Sequence, residues 1–177
     1  MKTRWIPEDH YNMILSKMIA KDRWLVRLLR ATGFRIDDVL HTRKWQWSGK
    51  EVSIRERKTQ NVRRVPITPE IRRIVEQYEA VAGLKSSRFS AFVPTRRNRP
   101  GDRKKLHRTT LWRHFDKAVK SCGLESFGYS LHSLRKCYAV DRFREKGSLE
   151  AVQSDLGHKY LSTTLIYLAD ALTLRGD

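Results

Sequence analysis

The spacing of hydrophobic residues predicts two amphipathic helices at the start of the chain. Apolar side chains recur every three or four positions over residues 7–19, which is typical of a helix with one buried face. The same spacing continues from Asp22, a suitable N-cap, as far as Gly33, because glycine readily takes the left-handed conformation that ends a helix. A short third helix is expected over residues 36–40.

The pattern then changes to the alternation of apolar and polar residues that is typical of β-strands. Strand-like segments cover residues 44–47, 51–57 and 62–67. Short turns separate them, at residues 48–49 and at residues 58–61. Three short strands joined by tight turns predict a small antiparallel meander.

Helical spacing returns over most of the remaining chain. Thr68, Pro69 and Glu70 provide an N-cap, a first-turn proline and an acidic first turn for a helix that ends at Gly83. Four further helices are predicted, over residues 109–123, 131–146, 149–156 and 162–172. The predicted fold class is therefore mainly α with a small antiparallel three-stranded β-sheet (α+β).

Composition restricts the class of partner. The chain has 177 residues, and its 37 Lys and Arg against 19 Asp and Glu give a formal net charge of +18. The length suits one domain, and a hydrophobic content of 40% with five Trp excludes a disordered basic tail. The apolar runs are too short for a membrane span, and Cys122 and Cys137 lack disulfide-framework spacing. We therefore expect a cytoplasmic protein, with no membrane partner, that binds a polyanion.

Two segments concentrate the positive charge. Residues 96–108 hold seven Lys or Arg and one Asp, which indicates a loop rich in phosphate contacts. Residues 55–64 hold five Lys or Arg and one Glu on the arms of the predicted hairpin. The residues expected to contact nucleic-acid phosphates are Arg55, Arg57, Arg63, Arg64, Arg96, Arg97, Arg99, Arg103, Lys104, Lys105 and Arg108.

The motifs of metal- or nucleotide-assisted chemistry are not found in the sequence. It contains no glycine-rich phosphate loop, no GxSxG and no HExxH, and its Cys and His residues lack zinc-ligand spacing. Asp37 and Asp38 form one adjacent acidic pair, which is weak evidence for a metal-dependent nuclease. We expect no cofactor and no metal. Phosphodiester cleavage can instead use a side-chain nucleophile, with arginines that stabilise the charged transition state.

Four residues near the end of the chain can share one site. His132 and Arg135 lie three positions apart, so a helix places both on one face, although such a pair alone is more typical of an exposed helix surface. Gly157 offers a turn between two helices. His158 follows it directly, and Tyr167 comes nine residues later, so both could face back over the same site.

Two cations from the first half of the chain complete the set. Arg35 follows the helix stop at Gly33 and therefore projects from a turn, whereas Lys58 lies at the tip of the predicted hairpin. In order, spacing and flanking residues, the full set resembles the tyrosine recombinase (phage integrase) family in its catalytic domain. The motifs are TGFR with Arg35, RKT with Lys58, LHSLR with His132 and Arg135, LGH with His158, and STTLIY with Tyr167.

The resemblance covers residues 5–168 and implies a site-specific recombinase that cleaves and rejoins DNA without metal or ATP. By resemblance, Tyr167 would attack the scissile phosphate, giving a 3′-phosphotyrosyl link and a free 5′-hydroxyl. Arg35 and Arg135 would bind the non-bridging oxygens, and Lys58 would protonate the leaving 5′-oxygen.

The same resemblance implies roles for both histidines and a mode of assembly. His132 would act as acid or base for the tyrosine hydroxyl, and His158 would donate a hydrogen bond to the phosphate. We expect residues 1–177 to form a single catalytic domain, with a short tail over residues 168–177 and no separate N-terminal core-binding domain. The expected partner is double-stranded DNA, on which a protein that is monomeric in solution would assemble as a dimer or tetramer.

Three other functions remain open at this point. A type IB topoisomerase-like or hairpin-resolving enzyme would use a similar set of side chains, but the LGH and TTLIY spacing favours recombination. A catalytically idle DNA-binding regulator of the same fold would not need all six chemical positions filled. A basic RNA-binding or ribosomal protein would explain the charge but not the ordered set.

Overall fold

Helices make up most of the computed structural model, which describes residues 3–83, 91–93 and 108–173, without the side chains of residues 170, 172 and 173. The elements in order are α1 (Glu8–Ser16), α2 (Ala20–Thr32), α3 (Ile36–Val39), a 3-10 helix (Lys44–Trp47), β1 (Glu51–Arg55), β2 (Val62–Pro66), α4 (Pro69–Ala82), α5 (Arg108–Ser121), a 3-10 helix (Glu125–Phe127), α6 (Leu131–Lys146), α7 (Leu149–Leu156) and α8 (Leu161–Thr173). None of the helices in this part of the chain is long and apolar enough to cross a membrane.

The sheet has two strands in the described chain, so the prediction of three strands is wrong. β1 and β2 are antiparallel, with Glu51 opposite Pro66 and Arg55 opposite Val62. Residues 44–47 instead form a 3-10 helix, because Trp47 turns inward. Its indole donates to the Thr42 hydroxyl at 3.0 Å and stacks on the buried Phe92 with ring centroids 4.9 Å apart.

The core surrounds α2, whose Leu25, Val26 and Leu28 are fully buried. This helix packs against α4 and α6, so the apolar face predicted for it is the centre of the fold. A second cluster joins α6, α7 and α8 and includes Leu156 and Tyr167. Each fully buried aliphatic side chain contributes about 2 kcal/mol to folding, and packing therefore fixes the three helices that carry the candidate site.

Gly33 ends α2 at a point where no other residue fits. Its φ of 63° lies in the left-handed region, and its N–H donates to the Leu29 carbonyl at 2.9 Å. A Cβ at this position would lie 2.5 Å from Cδ1 of Tyr138 on α6. The chain therefore turns sharply against α6, and this turn places Arg35 near α6.

Most of the predicted basic loop lies outside the described residues. This applies to the expected phosphate contacts Arg96, Arg97, Arg99, Arg103, Lys104 and Lys105.

Candidate functional site

The N-terminus of α6 brings His132 and Arg135 onto one face. The Ser130 hydroxyl accepts from the His132 N–H at 3.2 Å, and Ser130 N–H donates to the Ser133 hydroxyl at 3.0 Å. This reciprocal cap starts the helix at Leu131. His132 and Arg135 then lie one turn apart, as their spacing predicts, with His132 at the surface and Arg135 buried.

Tyr167 on α8 lies between two histidines. Its hydroxyl is 2.7 Å from Nε2 of His132, and their rings meet edge to face at a centroid distance of 5.3 Å. The His158 ring packs on the other side at 4.7 Å, also edge to face. The left-handed turn at Gly157, with φ 63°, directs His158 back towards α8. The ring of Tyr167 is thus held while its hydroxyl faces a nitrogen acceptor.

Arg135 is buried and held by the main chain. Its Nη1 donates to the Gly33 carbonyl at 2.7 Å and contacts Glu56 Oε1 at 3.2 Å, while its Nη2 donates to the Leu156 carbonyl at 2.6 Å. Its Nε is buried and has no hydrogen-bond partner among the described residues. The guanidinium is therefore held through Nη1 and Nη2, and its Nε donor remains unused.

Arg35 immediately precedes α3, in extended backbone with φ −74° and ψ 144°. Its Nη1 forms an ion pair with Glu56 Oε2 at 2.5 Å. One turn later Asp38 is buried: its Oδ1 accepts from the Arg57 N–H at 2.9 Å, and its Oδ2 has no hydrogen-bond partner in the described chain. Burial raises the pKa of Asp38, against the effect of the Arg57 N–H.

Glu56, which is absent from the predicted site residues, lies at the centre of the cluster. It is fully buried at the end of β1 and contacts both Arg35 and Arg135. Burial disfavours its ionised form, but the Arg135 charge and hydrogen bonds from Arg35 and Thr59 hold its pKa below the usual value. The sequence feature that could have identified Glu56 is its position as the one acidic residue among five Lys and Arg in residues 55–64.

Lys58 lies where the sequence predicts it, in the turn between β1 and β2. It is exposed, and its charge acts on His132, whose pKa it helps to lower. The structure thus brings Arg35, His132, Arg135, His158 and Tyr167 into one cluster, with Lys58 on the adjoining hairpin.

Arg63, expected to contact phosphate, faces the interior instead. Its guanidinium donates to the carbonyls of Asp155 at 2.7 Å, Gly33 at 3.1 Å and Thr32 at 3.2 Å, and only 4% of the residue is exposed. Burial lowers its pKa to about 10. The alternation along β2 explains this orientation. Alternate residues of a strand face inward, and Arg63 and Val65 are the two buried residues of β2.

The other described cations of the predicted set lie at the surface. Arg55, Arg57 and Arg64 are exposed on or beside the hairpin, and Arg57 Nη1 lies 2.6 Å from Nε2 of His41. Arg108 begins α5 and pairs with Asp37 at 3.2 Å. These side chains form a basic surface on the hairpin and around α3.

The charges of the site keep its histidines neutral. Partial burial and the nearby charges of Arg135 and Arg35 lower the pKa of His132 and of His158 to about 4. Burial also raises the pKa of Tyr167, against the effect of the same two arginines. Near neutral pH, the neutral imidazole of His132 can therefore accept a hydrogen bond from the Tyr167 hydroxyl. The described residues contain no group of three or more His, Cys, Asp and Glu that could hold a metal ion.

Comparisons with known sequences identify relatives over most of the chain. The tyrosine recombinase XerC of Chlamydia caviae is 29% identical over 159 residues, which cover 88% of this chain and 49% of the relative. The tyrosine recombinase XerA of Pyrococcus horikoshii is 28% identical over 165 residues, which cover 92% of this chain and 55% of the relative. The chain thus spans about half the length of the curated relatives it matches.

Solved structures and a family-wide sequence model agree with these relatives. A lambda integrase dimer bound to a COC′ core site has a TM-score of 0.75 at 20% identity, covering 95% of this chain and 59% of that one. A XerA recombinase has a TM-score of 0.71 at 18% identity, covering 100% of this chain and 65% of that one. The predicted class, mainly α with a small antiparallel sheet, is confirmed. The sequence model described as "Phage integrase family" matches residues 4–173, and the chain therefore belongs to the phage integrase family.

Proposed function

We propose that this chain cleaves and rejoins DNA strands in site-specific recombination, through a 3′-phosphotyrosyl intermediate. The observation that carries the proposal is the contact of 2.7 Å between the Tyr167 hydroxyl and His132 Nε2, beside the buried Arg135. This contact joins a nucleophile to a neutral base at the point where an arginine can bind a phosphate.

The first step forms one P–O bond and breaks another. The Tyr167 oxygen attacks the scissile phosphorus while its proton passes to His132 Nε2. The bond from phosphorus to the 5′-oxygen breaks, and the ammonium of Lys58 gives that oxygen a proton. Attack by a 5′-hydroxyl of a second strand reverses these transfers and releases Tyr167. The phosphodiester energy is retained in the tyrosyl ester, so the cycle consumes no ATP and requires no metal.

Three groups support stabilisation of the pentavalent transition state. Arg135 Nε and His158 Nε2 are both buried and without hydrogen-bond partners among the described residues, so both are available to phosphate oxygens. His158 Nδ1 lies 3.0 Å from the Thr164 hydroxyl. When Nδ1 accepts from that hydroxyl, Nε2 carries the hydrogen and becomes the donor. Arg35, half-buried at the start of α3, supplies the second guanidinium.

Double-stranded DNA is the proposed partner. The net charge of +18 and the exposed Arg55, Arg57, Arg64 and Arg108 provide phosphate contacts that do not depend on base sequence. The basic residues of the segment 96–105 are proposed to add to them. Related solved structures include a lambda integrase dimer on a core site and a tetramer on a Holliday junction. We propose the same kind of assembly on DNA for this chain.

Covalent capture from a library of DNA duplexes tests the proposal and identifies the target in one experiment. Nicked duplexes with randomised arms are incubated with the protein, so that cleavage releases a short 5′-hydroxyl fragment and traps the adduct. We expect a denaturation-resistant protein–DNA adduct with the native chain, from which the preferred sequence is recovered. Tyr167→Phe keeps the ring that packs between the histidines but lacks the nucleophile, and it should give none. An adduct that persists in Tyr167→Phe, or no adduct from the whole library, would refute the proposal.

A further inference from the structure

Glu56 is the shared partner of the arginines in the site. Its two carboxylate oxygens contact different groups: Oε2 lies 2.5 Å from Arg35 Nη1, and Oε1 lies 3.2 Å from Arg135 Nη1. Arg63 Nη1 is 3.8 Å from Oε1. The carboxylate is fully buried, so water does not screen these contacts. One negative charge therefore holds together guanidinium groups that would otherwise repel each other.

The carboxylate contacts a different nitrogen of Arg135 from the one that remains without a partner. Glu56 and the Gly33 carbonyl contact Nη1, and the Leu156 carbonyl accepts from Nη2. Nε remains without a hydrogen-bond partner in the described chain. Glu56 therefore does not occupy the donor that a phosphate would use. It fixes the orientation of the guanidinium from behind.

Glu56 is also part of the turn that carries Lys58. The Thr59 hydroxyl donates to Glu56 Oε2 at 2.8 Å. The backbone closes the same turn, since Glu56 N–H donates to the Asn61 carbonyl and Gln60 N–H donates to the Glu56 carbonyl, both at 2.8 Å. Gln60 has a φ of 61°, which marks a tight and specific turn. The hairpin tip is thus tied to the same carboxylate as the two arginines.

We propose that Glu56 is a positioning residue, which sets the spacing of Arg35 and Arg135 and fixes the turn bearing Lys58 relative to them. It touches neither the phosphate nor the nucleophile. Its effect is to align two phosphate ligands with a proton donor that comes from a separate element. This inference rests on the proposed strand-cleavage function.

The alternative is a buried ion pair that only stabilises the fold. Both roles predict that Glu56→Gln lowers stability, so stability alone does not distinguish them. A positioning role predicts in addition that cleavage falls while DNA affinity is kept, because misplacement of about 1 Å costs about a hundredfold in rate. It also predicts that the defect depends on the leaving group.

The leaving-group dependence follows from the chemistry of Lys58. A 5′-bridging sulfur leaves as a thiolate and needs no proton, whereas a 5′-oxygen does. Replacing the oxygen with sulfur therefore bypasses a misplaced Lys58 but leaves any defect in the arginines. A fold defect affects both substrates equally.

The experiment uses Glu56→Gln, with Thr59→Val as a milder variant that removes the hydroxyl donating to Glu56, together with its long contact of 3.5 Å to the Asn61 N–H. Glu79→Gln is the charge-matched control. Glu79 forms an ion pair with Lys44, with 2.9 Å between Oε2 and Nζ, and this pair lies outside the site. Each protein is assayed on the duplex recovered with the native chain, in oxygen and 5′-thio forms. DNA dissociation constant, single-turnover adduct rate at saturating DNA and thermal midpoint are measured.

We expect Glu56→Gln to lose about thirtyfold or more in cleavage of the oxygen substrate, with DNA affinity within about threefold of the native value. The ratio of thio to oxygen rates should rise in both Glu56→Gln and Thr59→Val and stay at the native value in Glu79→Gln. An unchanged ratio in folded Thr59→Val, a native cleavage rate in Glu56→Gln, or a parallel loss of binding and cleavage would overturn the inference. If Glu56→Gln does not fold, Thr59→Val decides the question. Failure of the native chain to form an adduct would instead refute the proposed function.

Discussion

Tyr167 in the middle of α8 meets His132 at the start of α6, although the two residues are 35 positions apart in sequence. The hydroxyl of Tyr167 on α8 lies 2.7 Å from Nε2 of His132 in the first turn of α6. Packing of α6 against α8 holds both backbones, and the neutral state of His132 leaves Nε2 able to accept a proton. The contact therefore supports the proposal that His132 is the base for the nucleophile Tyr167.

His132→Ala should reduce the single-turnover rate of adduct formation by about 10²–10⁴-fold, which is the usual contribution of a positioned acid or base. DNA affinity should be kept, because His132 is neutral near pH 7 and adds no phosphate-binding charge. The side chain lies at the surface, so added imidazole should enter the vacated space and restore part of the rate. Added imidazole should not restore adduct formation in Tyr167→Phe, which lacks the nucleophile. Full activity of His132→Ala without imidazole would rule out the base assignment.

Gly33→Ala should destabilise the chain more than Gly147→Ala does. Both glycines have a left-handed backbone, with φ of 63° and 65°, which costs an alanine about 1 kcal/mol. At Gly147 no described atom lies within 4 Å of the added Cβ, whereas at Gly33 the ring of Tyr138 is 2.5 Å away. Displacing that buried ring should add about 2 kcal/mol to the loss.

Urea unfolding of both glycine variants measures the difference directly. Because the backbone cost is common to the two sites, the excess loss in Gly33→Ala reports the contact with Tyr138. Equal losses would mean that α2 and α6 separate easily at this point, and the turn would then not fix Arg35 relative to α6.

Local spacing predicted which residues near the end of the chain could share one site. His132 and Arg135 are one helical turn apart, and Gly157 supplies the turn that directs His158 towards Tyr167. Each of these relationships depends on a few consecutive residues. Helix periodicity and glycine stops describe such short segments well.

Long-range contacts decided the features that the sequence did not predict. Trp47 turns inward because Phe92, 45 positions later, offers a stacking surface, and a 3-10 helix replaces the predicted strand. Arg63 faces inward because carbonyls from α2 and α7 accept its donors. Glu56 becomes buried because Arg35 and Arg135 neutralise it. None of these partners is adjacent in sequence. The alternation of apolar and polar residues therefore predicted a strand at Trp47, an exposed side chain for Arg63 and no role for Glu56.

Arg63 and Arg64 are neighbours with opposite orientations, and substitution should separate their roles. Arg63→Ala leaves the carbonyls of Thr32 and Asp155 without their donor, while the Gly33 carbonyl keeps Arg135, and it should cost about 3 kcal/mol in the free energy of unfolding. Arg64 is exposed, and its contact with Glu51 is long, at 3.8 Å, so Arg64→Ala should change stability by less than about 0.5 kcal/mol.

DNA binding should show the reverse order. Arg64→Ala should weaken DNA binding on every sequence and reduce the slope of log affinity against log salt by about one. Folded Arg63→Ala, measured below its unfolding temperature, should keep the native salt slope. A reduced salt slope in Arg63→Ala with a native salt slope in Arg64→Ala would show that Arg63, and not Arg64, contacts phosphate.

Acidification should destabilise the chain through the two histidines of the site. The pKa of His132 and of His158 is lowered to about 4 in the folded chain from a usual value of 6.5. Between these values the unfolded chain binds protons that the folded chain does not. The free energy of unfolding should therefore be highest above pH 6.5 and fall as the pH decreases towards about 4.

His132→Gln and His158→Gln should each make this fall less steep, because each removes one group that binds a proton only in the unfolded chain. The slope of unfolding free energy against pH should decrease by up to about 1.4 kcal/mol per pH unit for His158→Gln, and by less for His132→Gln, because solvent screens the more exposed His132. Urea unfolding between about pH 7 and about pH 4.5 measures it. Glu56, whose lowered pKa stabilises the fold above its usual value of 4.5, contributes a loss only at lower pH and does not enter this range. A slope that stays at the native value in both variants would show that the two histidines have the same pKa in the folded and unfolded chains, which would contradict the lowered pKa of His132 and of His158.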